Sequence, residues 1–183
     1  MNFRGYKHCA TASLLILLVA CAQPADEQAM VPASISPVSS ASTYRGAVSD
    51  VTGYGGEETN PLWTSEISSD AFQTALKTSL QKAGIFSESG PFTLRADILS
   101  VDQPMVGFDL TVKMSVRYNL IDARGRIRFD RTITSKYTLG VSDEFLAIER
   151  LRKVNEGAAR ENISQLLKVL GAQVSTSSVG LSS

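Results

Sequence analysis

Hydrophobic and polar residues alternate most regularly over residues 108–120. Every second position from Phe108 to Leu120 is apolar or aromatic, and the positions between them are polar: Asp109, Thr111, Lys113, Ser115, Arg117 and Asn119. Successive side chains of a strand point to opposite faces, so this run predicts a strand with one buried and one wet face. A turn over 122–125 and a second alternating run over 127–139 predict the returning strand of an antiparallel hairpin.

Two interruptions mark the apolar side of the returning strand, at Arg131 and Ser135. We interpret them as lying at the rim of covering helices. Two further strands are expected over 44–52 and 92–102. The alternation of the latter slips at Leu99 and Val101, which predicts a β-bulge.

Apolar residues recur at helical spacing in two other segments. The first helix is expected to be capped by Ser65 or Ser69, to run to Ala83 and to end at Gly84, which favours a left-handed C-terminal position. The second is expected over 143–170, with Ser142 as its cap and acidic residues in its first turn.

Asn155 and Asn162 fall inside the apolar stripe of the second predicted helix. We interpret them as amides satisfied by neighbouring backbone or lying near the edge of the stripe. The alternative is that they orient a ligand.

The predicted order of elements is β-α-β-β-β-α. We therefore expect an α+β domain, a two-layer sandwich with two helices on one face of a mostly antiparallel four-stranded sheet. The first strand is expected to pair in parallel through a right-handed crossover helix.

The first twenty residues have the pattern of an export signal. Arg4 and Lys7 precede an apolar run over 10–20, which is too short to span a bilayer about 30 Å thick. The run ends in Leu18-Val19-Ala20-Cys21, which resembles the lipobox of bacterial lipoproteins. The resemblance implies a signal peptide over 1–20, cleavage before Cys21 and acylation of its thiol. The alternative is an ordinary signal peptide followed by a chance cysteine.

The segment that follows has no period of 3.6 or 2 and is rich in Ala, Ser and Pro. It predicts a lipidated flexible tether over 21–43, ahead of a globular domain over 44–171. Residues 172–183, rich in Ser and Val, predict a disordered tail.

The composition of the chain excludes several classes of binding and catalytic site. The chain has 18 Lys+Arg against 18 Asp+Glu, so it lacks the basic excess that nucleic-acid binding needs. Cleavage before Cys21 removes His8 and Cys9, and lipidation uses the last thiol. Cys- and His-dependent catalysis, disulfides and Cys/His metal sites are then excluded. We expect no catalytic residue, no metal and no cofactor, although carboxylate, Lys, Tyr or Ser chemistry stays open.

Three groups of residues are candidates for function. Arg124, Arg126 and Arg128 are interpreted as part of a solvated hairpin, the alternative being a row of guanidinium groups that binds an anionic headgroup, a phosphate or an acidic protein. Trp63 is expected to pin the start of the first helix, or to form a contact surface. Glu57 and Glu58, in a Gly-rich loop without phosphate-binding spacing, are interpreted as a solvated turn rather than a glycosidase pair.

The lipobox, the tether and the order of elements together resemble small envelope lipoproteins of Gram-negative bacteria, such as the LPS-assembly lipoprotein LptE and the YajG family. Ala22, after the lipid-bearing cysteine, implies the periplasmic face of the outer membrane by the enteric sorting rule. We expect a non-catalytic, lipid-anchored module, attached through Cys21, that binds a protein partner in envelope assembly or maintenance. The alternatives are a binder of lipid or a small amphiphile between sheet and helices and, third, a carboxylate-based hydrolase.

Overall fold

The computed structural model describes residues 23–57, 66–103, 109–144 and 146–173. This part of the chain forms helices α1 (Glu27–Met30), α2 (Ser69–Lys82) and α3 (Ala147–Gly171) and strands β1 (Val48–Gly55), β2 (Phe92–Asp102), β3 (Asp109–Asp122) and β4 (Ile127–Gly140). The predicted α+β class is confirmed. The observed order places the short α1 ahead of the predicted β-α-β-β-β-α order.

The four strands form one mixed sheet in the order β1-β2-β3-β4. β1 pairs in parallel with β2 through α2, as predicted, and the other two pairings are antiparallel. The predicted bulge is also present, because Ile98 pairs with Val116 whereas Ser100 pairs with Ser115, which leaves Leu99 between the two registers. The first strand begins four residues later than predicted and ends three residues later.

The helix ends differ in part from the prediction. The α2 cap is Ser68, whose hydroxyl accepts from the Ala71 N–H, and Gly84 follows the helix with φ +70° as expected. Ser142 does not cap α3, which begins only at Ala147. The carboxylate of Asp143 accepts from the Gly140 N–H at 2.8 Å, so the chain forms a turn there before the helix can start.

The core lies between the sheet and the helices. Its strand side is the predicted buried face of β3, which includes Leu110, Val112, Met114, Val116, Tyr118 and Leu120. Ser135 does not lie at the rim as predicted: it is buried, and its hydroxyl donates to the Ala158 carbonyl oxygen at 2.8 Å. Arg131, in contrast, is exposed.

A buried amide completes this core. The Asn162 side chain accepts from the Tyr118 hydroxyl at 2.8 Å and donates to the carbonyl oxygens of Met114 and Ile133 and to the Ser135 hydroxyl. The side chain is therefore satisfied by its neighbours, which supports the structural interpretation of Asn162. Asn155 is likewise fully buried on α3.

At one position of α3 a glycine leaves room for an aromatic ring of the sheet. Gly157 of α3 lies against Tyr137 of β4, and a Cβ atom added there would overlap the ring. The guanidinium of Arg160 lies over the same ring, 5.4 Å from its centroid. A glycine in mid-helix therefore lets the sheet and α3 approach closely.

The segment predicted as a flexible tether is packed onto the domain over its described part. Met30, Val31 and Val38 are buried and belong to the hydrophobic core. α1 packs against both α2 and α3, so the segment covers the helical layer. We call residues 25–43 the strap. The few apolar side chains of the strap do not recur at helical or strand spacing, so the sequence pattern did not predict this packing.

Candidate functional site

Asp122, the last residue of β3, organises the turn into β4. Its Oδ1 accepts from the backbone N–H groups of Arg124 at 2.9 Å and Arg126 at 3.0 Å. Its Oδ2 accepts from Nε of Arg126 at 3.0 Å and from Nε of Arg128 at 2.8 Å. Gly125 supplies the positive φ of the turn, +75°. We call residues 122–128 the tip.

These hydrogen bonds fix the charge of the carboxylate. The pKa of Asp122 is held well below its usual range, chiefly by the hydrogen bond from the Arg126 N–H. Desolvation is the next largest effect and opposes this shift, and the Arg128 guanidinium and the Arg124 N–H lower the pKa further. The carboxylate therefore stays ionised at neutral pH and keeps holding both guanidinium groups.

The predicted arginine row is thus gathered at one place, but two of its members share an acceptor. The side chains of Arg126 and Arg128 remain 54% and 47% exposed, and Arg124 is also exposed. Ile127 lies among them with 55% of its surface exposed. Three guanidinium groups against one carboxylate leave the tip basic, with N–H donors free for a carboxylate or phosphate partner.

The acidic residue next along the hairpin does not neutralise the tip. Asp130 binds Arg117 on β3 through two hydrogen bonds, Nε to Oδ1 at 2.9 Å and Nη2 to Oδ2 at 2.6 Å. The Arg117 guanidinium is the main cause that lowers the pKa of Asp130. The role of Asp122 as organiser of the turn was not predicted from the sequence. The signal was an aspartate at the start of a turn that contains glycine.

Of the other predicted site residues, only Glu57 lies in the described part of the chain. Cys21, Trp63 and Glu58 lie outside the described residues. Glu57 and Glu66 line a groove of about 370 Å³ beside the bulge of β2, and Oε2 of Glu66 accepts from the Gln103 amide at 2.8 Å. This hydrogen bond gives Glu66 a structural role.

Three further observations bear on alternative functions of the protein. Within the described ranges no three His, Cys, Asp or Glu side chains lie close enough to hold a metal ion. Over the same ranges, no helix has the length and apolar character needed to cross a membrane. A groove of about 460 Å³ lies at the edge of the sheet, between β4 and α3, and is lined by Lys113, Lys136, Glu161 and other residues.

Comparison with known proteins relates the fold to bacterial proteins. No family model and no curated protein matches the sequence. Among solved structures, protein XCC0632 from Xanthomonas campestris, described with the family model DUF330, is 9% identical with a TM-score of 0.55, over 73% of this chain and 88% of that one. The two proteins share a fold.

Two other similar structures are described as lipoproteins. A minor lipoprotein from Acinetobacter baumannii is 13% identical with a TM-score of 0.47, over 71% of this chain and 92% of that one. A candidate lipoprotein from Caulobacter crescentus is 19% identical with a TM-score of 0.43, over 55% and 77%.

Proposed function

We propose that this protein is a non-catalytic lipoprotein of the bacterial envelope, attached through Cys21 to the periplasmic face of the outer membrane, and that it binds a protein partner through the tip. The lipobox supports the attachment, and the descriptions of the similar structures agree with it. The observation that carries the binding proposal is the tip itself, where Asp122 holds the turn and two guanidinium groups in a fixed arrangement, next in sequence to the exposed Ile127.

The alternative of an amphiphile bound between sheet and helices is less well supported. The space between the layers is filled by buried side chains, among them Phe72, Leu76, Met114 and Leu166. The described grooves lie at the surface, at the end and edge of the sheet and along the strap. Ligand sites normally need a concave apolar cavity, which these packed layers do not offer.

Two experiments test the proposal. Cys21→Ser should release a folded, soluble domain, because stable anchoring needs the acyl chains. If this variant stays in salt-washed membranes, the lipoprotein assignment is wrong.

The second experiment addresses the tip in the native envelope. A photo-crosslinking residue at Ala123 should capture one identifiable protein, and Arg124→Gln, Arg126→Gln and Arg128→Gln together should abolish that capture. The matched control replaces the exposed Lys82, Lys113 and Lys136 by Gln, which removes the same charge elsewhere. Equal capture by the two triple variants contradicts a contact site at the tip.

A further inference from the structure

The strands give the domain two distinct ends. Asp109, which opens β3, pairs with Gly140, which closes β4, at the end of the sheet that we call the anchor end, and α3 begins seven residues later at Ala147. The tip lies at the other end. β3 is 14 residues long, so at about 3.4 Å per residue the two ends are about 45 Å apart.

The strap starts in the half of the domain that lies toward the anchor end. The Ala25 N–H donates to the carbonyl oxygen of Glu66, just ahead of α2, and the Asp26 N–H donates to Oε1 of Glu156 at 2.9 Å. Further along, Nη1 of Arg160 donates to the Ala29 carbonyl oxygen at 2.7 Å.

The strap then follows the helical layer to the opposite end. The Thr43 N–H donates to the carbonyl oxygen of Gln173, beyond the last residue of α3. The strap therefore runs along α3 from Glu156 to the end of the helix rather than hanging free of the domain.

This packing shortens the link to the anchor. Only Ala22, Gln23 and Pro24 separate Cys21 from Ala25, so the two Cα atoms are at most about 14 Å apart. A free tether of roughly 22 residues would instead give a mean span of about 25 Å and allow any orientation. If Cys21 is lipidated, the anchor end lies next to the bilayer.

An exposed apolar side chain lies at the same end. Leu146, directly ahead of α3, has 56% of its surface exposed and offers apolar contact to a lipid interface. The open face of the sheet carries paired hydroxyls and ion pairs, such as Thr111 with Thr138 and Arg95 with Asp97. Tyr54 and Leu99 are also exposed, but they lie near the middle of the sheet, level with Arg117 and Val116 of β3.

We infer that the packed strap, through its short link to Cys21, holds the domain upright on the membrane with the anchor end down, so that the tip engages an acidic protein surface about 45 Å from the anchoring leaflet. The inference rests on the proposed lipidation of Cys21. Electrostatic interactions in physiological salt are screened over about 8 Å, so guanidinium groups at that height do not interact with the lipid headgroups below. Exposed arginine beside an exposed Ile127 is the composition of a protein-binding surface.

The orientation is tested with the full lipidated protein in phosphatidylethanolamine vesicles that carry an acceptor dye on their headgroups. Once Cys21 is acylated the mature chain has no other thiol, so Ala123→Cys and Ser142→Cys each give a single donor site. Energy transfer should be strong from position 142 and weak from position 123. A ten-residue Gly/Ser insertion after Pro24, or Leu146→Ser, should reduce this difference.

The outcomes separate the two proposals. Protein that does not float with the vesicles contradicts the lipid attachment. Protein that floats but transfers equally from both positions, or more from position 123, overturns the upright orientation. Transfer from position 123 that rises in phosphatidylglycerol vesicles and falls with salt means that the tip binds headgroups, which also overturns the inference.

The chemistry of the partner is tested on the same vesicles with polyglutamate as the probe. At low salt it should raise the fluorescence anisotropy of a dye at position 123 and leave that at position 142 unchanged. Arg124→Gln, Arg126→Gln and Arg128→Gln together should abolish the rise, whereas the lysine triple variant should keep it. No rise in the unsubstituted protein contradicts an acidic partner.

Discussion

The Tyr118 hydroxyl on β3 donates a 2.8 Å hydrogen bond to Oδ1 of Asn162 on α3, in the interior between the two layers. Burial raises the pKa of Tyr118 well above its usual value, so the phenol stays protonated and remains a donor. The bond joins the sheet to the last helix at a defined point. Because the amide also donates to the backbone of β3 and β4, a shift of α3 along the sheet would break several hydrogen bonds at once.

Tyr118→Phe should lower the free energy of unfolding by about 1–3 kcal/mol, because it leaves a buried amide oxygen without its donor. Urea denaturation measures the change. Tyr54→Phe, at an exposed position, is the matched control and should have little effect. Similar losses for the two variants would contradict a specific role for the Tyr118 bond.

Gly157→Ala should destabilise the protein by about 1–3 kcal/mol, although alanine is the better helix former, because the new methyl group overlaps the Tyr137 ring. The same substitution combined with Tyr137→Ala should cost less than the sum of the two single changes. Thermal and urea unfolding of all four proteins measure this coupling. Strict additivity would show that Gly157 and Tyr137 are not in contact.

Met30→Ala should lower the free energy of unfolding by about 2–5 kcal/mol, since this side chain of the strap is fully buried against the domain. A residue in a flexible tether would contribute nothing. Gln28→Ala, two residues away and exposed, is the control. Equal stability of the Met30→Ala variant and the unsubstituted protein would instead support a flexible tether.

Glu156 gives the strap a dependence on pH. Burial raises its pKa, and the Asp26 N–H and Arg152 partly oppose this effect. The folded state therefore favours the protonated form, and this contribution to stability is lost as the pH rises from the ordinary carboxyl value through the raised one.

Glu156→Gln keeps an oxygen acceptor for the Asp26 N–H and removes the charge. This variant should lose the fall in melting temperature over that pH range, whereas Glu88→Gln, at an exposed position, should retain it. An unchanged pH profile in the Glu156→Gln variant would assign the fall to other groups.

The sheet was the most predictable part of this fold. A period of two on β3 and β4 fixes which side chains are buried, and the phase slip at Leu99 marks the bulge, so both were readable without coordinates. Asn162 and Ser135 were harder, because the sequence shows that they interrupt an apolar face but not that they meet each other. Their pairing depends on the register of α3 against the sheet, which no local pattern encodes.

The candidate site was predicted in composition but not in arrangement. Three arginines near a glycine turn were visible, whereas the central role of Asp122 depends on a backbone conformation that points four donors at one carboxylate. The strap was missed for a related reason. Its position follows from contacts with residues more than a hundred positions away, such as Glu156 and Arg160.

Those distant contacts also impose an order in time. The bond between Asp26 and Glu156 joins residues 130 positions apart, so it cannot form until the last helix has been made and, under the proposed export, has left the export channel. Until then the chain around the strap has no surface to settle on and stays extended. We therefore expect the region beside Cys21 to remain accessible to modifying enzymes during export and to become fixed against the domain only when synthesis is complete.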